Sequence, residues 1–147
     1  MRRSLVLVPL FLAACATAGG GGAPPHSFVR STSDARTTRL IEVREGIARA
    51  AAMRAVTEAL AQRYTVEVTD ARAGFVMTGW QASIMKDGVP DLRYRTRLTA
   101  KFIGDDWRRL QVRDEANWAN GDEWDVGFDG AQLDSVASEL HAKLGKR

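Results

Sequence analysis

The stretch RYRTRLTAKF, residues 93–102, decides the fold. Tyr94, Thr96, Leu98, Ala100 and Phe102 alternate without a break with Arg93, Arg95, Arg97, Thr99 and Lys101. A period of two places successive side chains on opposite faces of an extended chain, so this segment is a strand with one apolar and one basic face. Such a strand belongs in an antiparallel sheet that is packed on one side and solvated on the other. Gly104, Asp105 and Asp106 turn the chain, and residues 107–114 return beside it with Leu110 and Val112 facing inward. On that register Arg109 and Arg113 join Arg93, Arg95, Arg97 and Lys101 on the open face, opposed by few carboxylates such as Glu67. Like charges side by side cost stability. The row therefore reads either as an electropositive platform for an anionic partner or as a solvated face that guards the sheet against edge pairing.

Upstream, Tyr64, Val66 and Val68 alternate with Thr65, Glu67 and Thr69, and a turn over residues 70–74 leads to a second strand over 75–80. Residues 83–92 read as a loop with a Lys-Asp-Gly turn and a proline. Before this hairpin lies a helical stripe, Ile47, Ala50, Met53, Val56 and Leu60, within 44–63. Gly46 is a poor residue for a helix interior and leaves the start of that helix open. A short strand is expected over 37–43. Residues 115–130, acidic and rich in Asn and Gly, read as loop. A last helix spans 131–144, with Leu133, Val136, Ala137, Leu140 and Leu144 on one face and a capping box from Asp129 and Gln132 at its start. The expected fold is α+β: a two-layer sandwich of the helix-grip type, an antiparallel sheet of four to five strands with two helices on one face.

The N-terminus is of a different kind. Arg2 and Arg3 precede the apolar run LVLVPLFL, residues 5–12, then Ala13 and Ala14. This is the three-part secretory signal pattern, too short to cross a bilayer. The chain's one cysteine follows, so that residues 12–15 read Leu-Ala-Ala-Cys, which resembles the bacterial lipobox. In that motif the cysteine thiol is lipidated and becomes the first residue of the mature protein. The resemblance implies a lipid anchor at Cys15. Ala16 in place of aspartate implies, in a Gram-negative envelope, the inner leaflet of the outer membrane facing the periplasm. Glycines, prolines and Ser/Thr then make a flexible tether. The expected divisions are 1–14 signal peptide, 15–35 lipidated cysteine and tether, and 36–147 globular domain.

Composition narrows the function. The chain has 147 residues, with 21 basic and 18 acidic side chains. Losing Arg2 and Arg3 with the signal leaves 19 against 18, a formal +1, which removes the support a high isoelectric point would lend to nucleic acid as a partner. One cysteine excludes a disulfide framework. There is no G-x-S-x-G, no phosphate loop and no histidine pair at metal spacing, so neither an enzyme nor a cofactor is expected. Asn120, Asp122, Glu123, Asp125 and Asp129 offer oxygens, but their spacing is not that of a calcium loop, and no metal is expected. Trp118 and Trp124 in the acidic segment are contact candidates, because tryptophan brings large area with few rotatable bonds.

The lipobox, the tether, a helix leading into YTVEVTDARAGFVMTGW (residues 64–80), and the Arg-Tyr-Arg start at residue 93 are similar to the helix-grip domains of the BamC family. Those lipoproteins attach to the outer-membrane β-barrel assembly machinery. The resemblance covers about residues 37–113, is one of architecture and carries over no functional residue; that family has two such domains where this chain has one. It implies a non-enzymatic binding or scaffold domain, an accessory in outer-membrane assembly with an envelope protein as partner. The alternative is a module that captures an anionic lipid or glycan on the basic row.

Overall fold

A computed structural model describes residues 23–32, 36–82 and 85–146, the side chains of Met85 and Lys86 excepted. The elements in chain order are β1 (Phe28–Arg30), β2 (Thr38–Glu42), α1 (Arg49–Ala61), β3 (Val66–Asp70), β4 (Phe75–Thr78), β5 (Gln81–Ala82), β6 (Met85–Lys86), β7 (Val89–Pro90), β8 (Tyr94–Ile103), β9 (Arg109–Asn120), β10 (Glu123–Asp129) and α2 (Gly130–Leu144). The main sheet runs β1-β10-β9-β8-β4-β3, with β2 also on β9 and β5 also on β8, and its pairs are antiparallel. The α+β class holds, but among the described residues this sheet has eight strands, not four to five.

The difference has a physical source. Residues 115–130 are not a loop: β9 runs on to Asn120, turns at Gly121 (φ 66°), and returns as β10 with Trp124 opposite Ala119 and Val126 opposite Asn117. The inward positions of β9 after Val112 are Asp114, Ala116 and Trp118. A buried acid and a small residue hide the alternation that apolar side chains would have displayed. The remaining additions are strands of two or three residues. β6 and β7 form a separate hairpin whose turn holds Asp87 (φ 52°) and Gly88 (φ 79°). Two successive left-handed residues make the primed turns that match strand twist.

α1 begins at Arg49 rather than 44, because Gly46 sits at φ 80° outside the helical region. Met53, Val56, Ala59 and Leu60 from α1 meet Leu133, Val136, Leu140 and Leu144 from α2 over Val76, Leu98, Ala100, Phe102, Leu110 and Val112 from the sheet. Fully burying one such leucine or valine contributes about 1.5–3 kcal/mol, so this layer dominates the fold's stability. Phe102 and Trp107 stack with centroids 4.6 Å apart. At the head of α2, Asp129 accepts from the Gln132 backbone N–H at 2.9 Å. Only this half of the capping box forms, because the Gln132 amide instead donates to Thr96 Oγ1 at 3.0 Å.

β1 lies inside the stretch read as tether and is the edge of the sheet. It closes a second small core of Tyr94, Ala116 and Trp118, with Phe28 edge-on to Tyr94 at 6.0 Å. Gly127 makes room for it, since a Cβ there would stand 2.1 Å from the Val29 carbonyl oxygen.

Candidate binding face

Both helices cover one side of the sheet and leave the other uncovered. β8 presents Arg95, Arg97, Thr99 and Lys101 there, and β9 presents Arg109, Gln111, Arg113, Glu115 and Asn117. The register sets Arg97 opposite Glu115, Thr99 opposite Arg113, and Arg95 opposite Asn117. Arg97 Nη2 is 2.5 Å from Glu115 Oε2, and Arg113 Nη2 is 3.2 Å from Glu115 Oε1. Glu115, which lies in the segment read as loop, thus holds two of the expected cations. An exposed ion pair contributes at most about 1 kcal/mol, but here it removes like-charge repulsion across two strands.

Arg93 leaves the row. Its Nε and Nη2 donate to Asp91 at 2.9 and 2.7 Å, and its guanidinium lies 5.3 Å from the centroid of Trp118. The hydrogen bond and charge of Asp91 hold the Arg93 guanidinium above its ordinary pKa. Trp118 is itself 4 % exposed in the second core. The expectation that it serves as an exposed contact is therefore corrected: strand alternation turns residue 118 inward. Lys101 and Arg109 are exposed toward the far end of the two strands. Cys15 lies outside the described residues.

The remaining residues converge. β10 delivers Trp124, 43 % exposed, and the link from β4 to β5 delivers Trp80. The Arg95 guanidinium carbon sits 4.5 Å from the Trp124 centroid and 5.0 Å from that of Trp80, while Arg97 is 4.7 Å from Trp80. Cation–π contacts contribute about 0.5–2 kcal/mol each. Gly79 steers the link into place: its N–H donates to Thr65 at 2.9 Å, and a Cβ there would meet Glu67 Oε1 at 2.5 Å. Val126, 60 % exposed, extends the apolar rim beyond Trp124. Trp80 has no strand alternation with Arg95, so the sequence offers only its residue type as a signal.

Among the described residues the Arg95 side chain has no hydrogen bond or ion pair, and its Nε is buried without an acceptor. The other buried side-chain atom lacking a partner is Asp114 Oδ2, on the inward side. There Asp114 Oδ1 accepts from the Asp129 backbone N–H at 2.7 Å, and Asp129 Oδ2 accepts from Tyr94 and Ser27 hydroxyls, both at 2.8 Å. Burial first, then the nearby charges of Asp129 and Glu115, push the Asp114 carboxyl up to about 7 against the pull of that backbone bond. Burial and the bond to Asp129 push the Tyr94 phenol up as well. This cluster joins β1, β8, β9 and α2, and its groups are enclosed rather than presented to a substrate. The carboxylates weighed for calcium do not converge: Asp125 pairs with Arg30 at 2.6 Å and Asp129 caps α2. His141 is exposed on α2, beside a cavity of about 350 Å³ between α2 and β2.

Compared with known proteins, the chain matches no family model and no curated protein sequence.

Proposed function

We propose that this chain is a lipid-anchored lipoprotein of the cell envelope whose folded domain binds a partner and catalyses no reaction. Cys15 carries the anchor, the outer membrane's inner leaflet holds it, and the domain serves as an accessory or scaffold in outer-membrane assembly. Two helices over one antiparallel sheet are the architecture that the resemblance to the helix-grip domains of the BamC family implies. The observation that carries the binding reading is the Trp80–Arg95–Trp124 stack on the uncovered face of the sheet. Tryptophan and arginine are the residue types that dominate contact energies, and here they are prearranged, so little side-chain entropy is lost on binding. The same geometry weighs against the anionic lipid or glycan platform. Three of the six cations are paired, Arg97 and Arg113 with Glu115 and Arg93 with Asp91, and Lys101 and Arg109 lie toward the far end of the strands from Arg95, so the open cations do not converge.

A photo-crosslinking residue at Val126, in the whole chain in its native envelope, tests this reading. A discrete protein adduct is the expected result, and adducts with lipid or glycan alone would sink it. Alkaline extraction of the membranes should leave the unaltered chain bound and release Cys15→Ala.

A further inference from the structure

Building on the proposed binding role, we infer that the Trp80–Arg95–Trp124 stack is a carboxylate-reading site, and that the partner is a protein that brings an acidic side chain into the plane of the Arg95 guanidinium. The guanidinium carbon lies over both indoles, 5.0 and 4.5 Å from their centroids. Its N–H donors all lie in the guanidinium plane. Nε is buried without an acceptor and is closed to one from outside, whereas Nη1 and Nη2 are not among the enclosed atoms and meet no acceptor among the described residues. A guanidinium does not shed its charge by losing its proton, so these two donors are where an acceptor from outside the described domain bonds.

The neighbours decide which acceptor. Every other arginine near the stack is already taken by a carboxylate: Arg93 by Asp91, Arg97 and Arg113 by Glu115. Lys101 is six residues along the same strand, about 20 Å away at the rise of an extended chain. A phosphate or sulfate group with two or more charges favours several converging cations, and here one is open. A single planar carboxylate matches the Nη1–Nη2 edge of one guanidinium, with two parallel bonds like those that Arg93 makes to the two oxygens of Asp91. The exposed flank of Trp124 and Val126 adds the apolar area that a protein segment covers and a free small acid does not.

The test uses the full-length chain in its native envelope with the photo-crosslinker at Val126. Arg95→Gln removes the charge and the fork, and is expected to lower the yield of the protein adduct roughly tenfold or more. Arg95→Lys supplies an amine, and a carbodiimide should then join it by an amide bond to an Asp, Glu or C-terminal carboxyl of the same protein, mapped by mass spectrometry. An Arg95→Gln adduct of unchanged yield overturns the inference while the binding role stands. So does a carbodiimide product that involves no carboxyl of the captured protein. Absence of any protein adduct from the chain with Arg95 intact overturns the binding role itself. Circular dichroism of Arg95→Gln shows whether it folds; if it does not, the Arg95→Lys product decides alone.

Discussion

Asp114 should make the protein less stable as pH rises through neutrality, and Asp114→Asn should abolish that loss. The carboxyl is 0 % exposed, its Oδ2 has no partner, and its pKa is pushed up to about 7 from an ordinary 3.8. Between those values the folded chain keeps a proton that the unfolded chain has released. The contribution is therefore full below about pH 4 and is lost as pH climbs through about 7. At about 1.4 kcal/mol per pH unit where the two states differ fully, the loss between pH 5 and pH 8 is about 2.5 kcal/mol. For a domain of this size that is a fall of roughly 10 °C in Tm. Asparagine at 114 is the neutral isostere: its Oδ1 still accepts from the Asp129 N–H, and it does not titrate. Urea unfolding at pH 5, 6, 7 and 8 reads the effect, in a window above the ordinary carboxylate range. The variant's curve should be flat where the unaltered chain's falls, and the variant should be the more stable of the two at pH 8. Parallel curves would refute the assignment and mean that Asp114 ionises in place, with water or a cation at Oδ2.

Gly127→Ala should displace β1, since its methyl meets the Val29 carbonyl and the Phe28 ring; a loss of about 2–4 kcal/mol and fast hydrogen exchange at residues 28–30 are expected. Leu98→Asp buries an unpaired charge at a fully buried position and should unfold the domain, as circular dichroism would show; a folded variant would refute the register of β8. Arg97→Glu sets two carboxylates across from each other at Glu115, and should cost about 1 kcal/mol in urea unfolding with the fold intact.

How much of this was legible in the sequence depends on what each position buries. β8 is readable because Tyr94, Leu98, Ala100 and Phe102 are all buried and their neighbours are cationic, so period two appears in composition itself. α2 is readable for the same reason at period 3.6. β9 beyond Val112 is not, because its inward face carries Asp114, an acid made tolerable only by Asp129 and by protonation. As a loop, that stretch makes Trp118 and Trp124 look alike. In the sheet they are on opposite faces, one buried at 4 % and one exposed at 43 %. Glu115, the counter-charge of Arg97 and Arg113, lies in the same stretch and is hidden for the same reason. Arg95 was visible as a cation, but its stacking partner Trp80 arrives through the link after β4, a tertiary event that leaves no periodic trace.

Arg95 Nε and Asp114 Oδ2 share one defect, a buried polar atom with no partner, and the two side chains answer it in opposite ways. A carboxyl can take a proton, and Asp114 sits where burial and a neighbouring carboxylate make that the cheaper state. Its problem is solved inside the chain, at the cost of a stability that depends on pH. A guanidinium has no neutral form within reach, so Arg95 keeps its charge, and its open Nη donors are met only by an acceptor from outside the described domain. The inward defect therefore points to stability, and the outward one, framed by two indoles on the uncovered face, points to recognition. That distinction separates the two sites more firmly than their charge or their exposure does.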